Sequence, residues 1–231
     1  MRDLDELQAF IDDDQGLRGL RDEIVPRLGD DPGHDLSHAL RVSLWTIRLG
    51  GAGVGPRAAI AAALLHDVVN LPKDSPERSR ASERSAAVAE ALLPRRGFRP
   101  EEVTEIAQAV RDHSYSRGAT PTSPLGRALQ DADRLEALGA LGVFRAVSCG
   151  ARMGSRYFHD RDPWANAREL NDRTFTVDHF FEKLLLLEGT MQTEGGRSEA
   201  GRRTAFMRGF LGQLAEEIGA PLPDPVVAVT D

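Results

Sequence analysis

One cysteine, Cys149, stands among 231 residues. A single thiol excludes an intrachain disulfide and a zinc site built from thiolates, and points to a reducing compartment, with the cytoplasm as the expected location. Aromatic residues are scarce at 6%, with two Trp and two Tyr, and β-branched runs are few, so a β-rich core is not expected. Long apolar runs are missing too: no stretch reaches the roughly 18 uninterrupted apolar residues of a membrane span. The start, Met1-Arg2-Asp3-Leu4-Asp5, is acidic where a signal peptide would be basic and then apolar. No membrane partner is expected. Positive charge is also short. A net charge of −7 argues against a sequence-independent grip on a nucleic-acid polymer, which needs a broad basic face. A local cluster can still hold a small anion.

What is present is an ordinary globular balance, 41% apolar and 28% charged, with abundant Ala and Leu that favour helices. The length suits one sizeable domain, expected over residues 1–220 with an extended tail at 221–231. Apolar residues recur at helical spacing between Gly and Pro breaks, so the expected fold class is all-α. Helices are expected over Leu4 to Asp13, Leu17 to Leu28, Leu36 to Leu49, Pro56 to Val68, Ala81 to Leu93, Pro100 to Ser114, Ser123 to Leu138, Gly142 to Ser148, Val177 to Met191 and Ser198 to Ile218. Pro56 and Pro100 stand where a first helical turn tolerates proline. Two polar connections stand out: Asn70 to Ser82, with Lys73, Arg78 and Arg80, and Cys149 to Thr176, with Arg152, Arg156, Arg161 and Arg168. Long ordered loops are often functional, although either reads equally well as a solvated surface link.

Chemistry concentrates in His38, the pair His66-Asp67, and an aspartate of Asp131-Ala132-Asp133. Two imidazoles and two carboxylates make a hard donor set suited to a divalent ion that activates water. The run Ala58 to Leu65 is apolar on every face, as in a helix surrounded by other helices, and it ends abruptly in His66-Asp67. A buried carboxylate at the negative end of a helix dipole needs positive charge beside it. A cation supplies it; an arginine beside a buried His–Asp hydrogen bond would also do so. His34 and His38, four apart, can share a helical face with Arg41. Asp35, beside Asp31, Pro32 and Gly33, reads as an N-cap, so His34-Asp35 is set aside as a decoy and His38 taken as the ligand. In Leu129 to Leu135, residues two apart face nearly opposite sides, and the stripe Leu125, Ala128, Leu129, Ala132, Leu135 flanks Asp131 and Asp133 equally. Periodicity leaves the two open.

Histidine, then His-Asp, then aspartate, in this order on helices, resembles the HD superfamily of metal-dependent phosphohydrolases. His38 stands three residues before Arg41-Val42, and Ala132-Asp133-Arg134-Leu135 matches the context of the last ligand in that pattern. The resemblance therefore selects Asp133 over Asp131, and implies a single-domain helical bundle of about eight to ten helices. Gln130 to Ala140, His179 to Leu185, and Met191 to Glu194 followed by Arg203 and Phe206-Met207 further resemble a small bacterial subgroup that cleaves nucleoside triphosphates. Two-metal members carry extra histidines between His-Asp and the last aspartate. Here only His113 stands in that interval, so one metal is expected, with His113 as a substrate contact or proton donor.

The resemblance implies Mn²⁺, with Mg²⁺, Co²⁺ or Fe²⁺ as alternatives, and a small phosphorylated substrate, in all expectation a nucleotide. Asp67, Arg134 and His113 are the expected catalytic residues, and Arg41, Lys73, Arg145, His179 and Lys183 the expected substrate contacts, on a monomer or homodimer. His179 and Lys183 share a helical face that reads alone as solvated; the resemblance places it at the pocket. Val68-Val69-Asn70 lacks the acidic residue with which some nucleotidase branches activate water, which weakens a 5′-nucleotidase reading. A phosphomonoesterase or phosphodiesterase, and a nucleotide-binding regulator without turnover, are the rival readings. An iron oxygenase would need two metals.

Overall fold

In the computed structural model, residues 1–28, 33–71, 77 and 80–223 are described. Lys73, Arg78, Asp31, Pro32 and most of the expected tail lie outside them. Among the described residues the chain forms ten α-helices and no β-strand: α1 Leu4–Asp13, α2 Gln15–Ile24, α3 Leu36–Gly50, α4 Pro56–Leu65, α5 Ala81–Leu92, α6 Pro100–Asp112, α7 Pro124–Leu135, α8 Gly139–Met153, α9 Thr176–Glu182 and α10 Glu194–Ile218. The all-α expectation is borne out. Helix starts follow the local chemistry. Asp3, Asp14, Asp35 and Thr193 each accept a hydrogen bond from a first-turn N–H, and Pro56 and Pro100 open their helices.

The chain divides into two compact units, Met1–Asp133 and the residues from Arg134 onward. In the first, α4 packs against α2, α3, α5 and α6, and Ala59 to Leu65 are all buried. Alanines on every side let four neighbours approach closely, as the uninterrupted apolar run required. Leu7, Ile11, Leu17, Leu20, Ile106 and Leu129 join the same core. This packing fixes the C-terminal end of α4, where His66 and Asp67 follow.

In the second unit, α8 and the 3-10 stretch Leu184–Thr190 pack on α10, with Phe180 stacked on Phe210 at 6.1 Å. Several bounds differ from expectation: α2 ends at Ile24 rather than Leu28, α4 at Leu65 rather than Val68 and α7 at Leu135 rather than Leu138, and α10 begins at Glu194 rather than Ser198. α8 runs from Gly139 to Met153 rather than Gly142 to Ser148, and its Gly142 and Gly150 are close-approach positions. A Cβ at Gly142 would strike the Ala137 carbonyl, and one at Gly150 the Thr176 hydroxyl. The helix expected over Val177 to Met191 breaks at Lys183 (φ −136°, ψ −55°) into the 3-10 stretch. A 3-10 turn eclipses residues three apart, which buries Leu184 and Leu187 while Leu186 stays exposed.

The polar loop before α9 is anchored by a buried carboxylate. Asp178 accepts both guanidinium nitrogens of Arg168 at 2.5 and 2.7 Å, and the Asn171 N–H at 2.7 Å. On α10, burial pushes the Glu199 carboxyl up, but Arg202 and Arg203 outweigh it and hold its pKa below the ordinary value of 4.5. A depressed folded-state pKa gives stability that is full above the unfolded value and lost as pH falls through the folded one. In urea titrations below about pH 5, the wild type is therefore expected to lose stability more steeply than Glu199→Gln.

Candidate metal centre

Helix ends aim the imidazoles of the first unit. His66 follows α4 and His113 follows α6, and each hydrogen-bonds through Nδ1 to the carbonyl three residues back, Ala63 at 2.7 Å and Val110 at 2.6 Å. A carbonyl can only accept, so Nδ1 carries the proton in both rings, and each satisfies a carbonyl that the helix end leaves orphaned. That presents Nε2 to the interior. His38 is buried on the inner face of α3, where Asp35 accepts its backbone N–H at 2.8 Å. The N-cap reading of Asp35 is correct. The Ser85 hydroxyl accepts the Val69 N–H at 3.1 Å and ties the turn after Asp67 to α5.

These devices bring five sequence candidates together. His38 Nε2 and His66 Nε2 lie 3.1 Å apart. Asp67 Oδ2 is 3.5 Å from His66 Nε2. Asp133 Oδ1 is 3.6 Å from His38 Nε2 and 3.8 Å from His66 Nε2. His113 Nε2 lies 3.6 Å from Asp67 Oδ1. The imidazole–carboxylate separations exceed ordinary hydrogen bonds, so the donor atoms converge on shared space rather than on one another.

A divalent ion fits this set. Two nitrogens 3.1 Å apart match two ligands at right angles on an ion with bonds of about 2.1 Å. His38, His66 and Asp67 form a group whose ligand atoms all lie within 4.8 Å of one another, and Asp133 adds a second carboxylate beside both imidazoles. Burial pushes the His66 pKa down to about 4, with Asp67 and Asp133 only partly offsetting it. The ring is then neutral at pH 7 with its Nε2 lone pair available. Burial alone would raise the Asp67 carboxyl, but His66, His113 and His34 around it hold it well below the usual carboxylate range. Burial likewise lowers His113, yet Asp67, Asp133 and the Val110 carbonyl outweigh that and raise it above 6.5.

The remaining candidates are placed as follows. Arg41 is half-buried on α3, one turn beyond His38. Asp131 is fully buried. In the second unit, Arg134 Nη1 donates to the Thr190 carbonyl at 2.7 Å, and Arg145 is half-buried on α8. His179 Nδ1 and Lys183 Nζ both meet Asp172 Oδ2, at 3.0 and 2.5 Å.

Three residues outside the expected site set make contacts that the sequence did not indicate. His34, set aside as a decoy, places Nε2 3.8 Å from Asp67 Oδ2 and lines a cleft with Asp35, His38, His66 and Asp67. Its spacing of four from His38 was the available signal; the capping role of Asp35 is real but does not exclude its neighbour. Asp172 gave no signal, since its partners lie 7 and 11 residues away. Gln130, fully buried on α7, donates through Nε2 to the carbonyls of Asp112 at 3.1 Å and Ala119 at 2.9 Å, clamping the segment that carries His113. Gln130→Leu leaves both carbonyls without this donor. It is expected to lower stability by about 1–3 kcal/mol, read as a shift in the urea midpoint at unchanged slope.

Known proteins match this chain over most of its length. The HD domain family model matches residues 35–138, the stretch that holds His38, His66, Asp67, His113 and Asp133. The protein YpgQ of Bacillus subtilis is 31% identical over 195 residues, 82% of this chain and 86% of that protein. Its crystal structure in complex with ADP aligns with a TM-score of 0.68 at 26% identity, over 88% of this chain and 94% of that one. An HD-superfamily hydrolase from Bacillus thuringiensis aligns with a TM-score of 0.65 at 29% identity, over 93% and 100% of the two chains. With its histidines and aspartates so arranged, the chain belongs to the HD-domain phosphohydrolase superfamily.

Proposed function

We propose that the protein hydrolyses a nucleoside triphosphate to the monophosphate and pyrophosphate, using one divalent ion, Mn²⁺ in first place, held by His38, His66, Asp67 and Asp133. The observation that carries this reading is the convergence of those four side chains, with the 3.1 Å approach of His38 and His66 at its centre. Support for a nucleotide comes from the ADP in the YpgQ crystal structure and from the resemblance of the segments around Gln130 and His179. A bound ion supplies Lewis-acid polarisation of the phosphoryl oxygen and a water of lowered pKa.

The protein's own groups do the rest. Water attacks the α-phosphorus, the bond to the bridging oxygen breaks, and pyrophosphate leaves. Asp67, with no acidic residue in Val68-Val69-Asn70 to assist it, takes the proton that the attacking water loses. His113 Nε2, 3.6 Å from Asp67 Oδ1, is the proton donor to the leaving oxygen. Arg134 stabilises charge on the equatorial oxygens, while Arg41, Lys73, Arg145, His179 and Lys183 bind the phosphates and nucleoside. Asp172 holds His179 and Lys183 on one face for that contact. Turnover takes place in the cytoplasm on a monomer or homodimer.

The test is a panel of ribo- and deoxynucleoside triphosphates with Mn²⁺ and after chelation, the phosphorus products identified by ³¹P NMR. Pyrophosphate that appears only with metal supports the proposal. Orthophosphate would mark a phosphomonoesterase, and tight binding without product a regulator; either result overturns it.

A further inference from the structure

α7 carries Asp133 of the ion site and, about one turn earlier, Gln130, whose side chain is fully buried. Gln130 Nε2 donates to the carbonyls of Asp112 at 3.1 Å and Ala119 at 2.9 Å. These carbonyls bracket the segment that leaves α6 and opens with His113. The amide oxygen of Gln130 is buried and has no hydrogen-bond partner among the described residues. An orphan buried acceptor is costly, and a methionine would fill a similar space without one. What the amide supplies is the pair of donated bonds.

His113 takes its aim from that segment. Its Nδ1–H donates to the Val110 carbonyl at 2.6 Å, within its own helix end, while its Nε2 lies 3.6 Å from Asp67 Oδ1, wider than a hydrogen bond. The ring therefore moves with the end of α6. Two side chains tie that end to other helices. Arg117 links Asp112, 3.6 Å from its Nε, to Glu83 of α5, whose side chain is 45% exposed, and ion pairs open to water are weak. Gln130 is the buried tie, and it stands on the helix of Asp133. We propose that Gln130 is a positioning residue: its amide fixes the end of α6 against α7 and so sets where His113 Nε2 stands relative to the ion-binding atoms. Its effect on turnover rests on the reading of His113 as proton donor; its effect on the ring does not.

The experiment compares wild type, Gln130→Met, Gln130→Asn, His113→Gln and the double variant of Gln130→Met with His113→Gln, all full-length. Hydrogen exchange at the histidine Nδ1–H groups is followed by ¹⁵N NMR with Mg²⁺ in place of paramagnetic Mn²⁺. His66 is the internal reference, since Ala63 holds its Nδ1–H in the same way at 2.7 Å. Gln130→Met is expected to speed exchange at His113 about tenfold and to leave His66 within about twofold. With ATP and Mn²⁺ its kcat is expected to fall about ten- to a hundredfold at a KM within about twofold, because a misplaced proton donor weakens the transition state and not substrate binding. The double variant is expected to match His113→Gln alone. Gln130→Asn, which keeps the amide on a shorter stem, is expected to fall between methionine and wild type, and decides by the same readings should methionine unfold the protein. Unchanged exchange at His113 overturns the proposal. Equal acceleration at both histidines does so too, since it marks general loosening, and so do losses that multiply in the double variant. Should wild type leave ATP intact, the triphosphate reading fails by itself and the exchange comparison still decides Gln130.

Discussion

Asp133→Ala is expected to lower phosphohydrolase turnover about a thousandfold and to strip the divalent ion, with helix content unchanged. The size follows from what a bound cation contributes to a phosphoryl transition state, several kcal/mol, at about 1.4 kcal/mol per factor of ten. The carboxylate lies 3.6 Å from His38 Nε2 and 3.8 Å from His66 Nε2, so its loss leaves two imidazoles and Asp67 to hold the ion. Folding is spared because the Asp133 side chain is a quarter exposed and an alanine fits the helix. Asp131→Asn is the matched control, since it removes the other charge of the pair and keeps the shape. The asparagine protein is expected to retain stoichiometric metal, measured by mass spectrometry beside circular dichroism. Loss of metal from the asparagine variant and its retention in the alanine variant would reverse the assignment of the pair.

The second large effect concerns stability. Arg168→Met leaves the Asp178 carboxylate, 0% exposed, without its guanidinium partner. Breaking a buried ion pair from one side costs about 3–5 kcal/mol, because the surviving charge is left in a medium that solvates it poorly. The Asn171 N–H at 2.7 Å is too little to replace two bonds at 2.5 and 2.7 Å. Urea unfolding is expected to show a drop of that size. Adding Asp178→Leu to Arg168→Met is expected to restore much of it, since no buried charge then remains. A double variant as unstable as the single one would show that packing, not the stranded charge, sets the loss. Arg168→Lys is expected to fall between, because an ammonium cannot match both carboxylate oxygens.

Helix periods and breaks were legible because they are local. α1 begins and ends where the pattern places it, and α4 is surrounded as its alanine-rich run demands. Gly150 lies beyond the expected end of α8, because a glycine that admits a neighbouring hydroxyl looks, in one dimension, like a glycine that follows a helix. The leucines from Leu184 to Leu187 misled because a run apolar at every position carries no period, so the 3-10 geometry is set by packing. At the site, the ligand types were readable as a donor set, but α7 offers equal apolar flanks to Asp131 and Asp133. Resemblance selected Asp133, and it is Asp133 that lies beside the two imidazoles. Asp172, Gln130 and Arg168 act through partners fixed by loop and helix packing, which spacing along the chain does not encode.

A crystal grown with Mn²⁺ and measured near the manganese absorption edge tests the central claim most directly. The account predicts one anomalous peak within about 2.0–2.4 Å of His38 Nε2, His66 Nε2 and carboxylate oxygens of Asp67 and Asp133. A peak held by other residues, or two ions sharing Asp67, would contradict it.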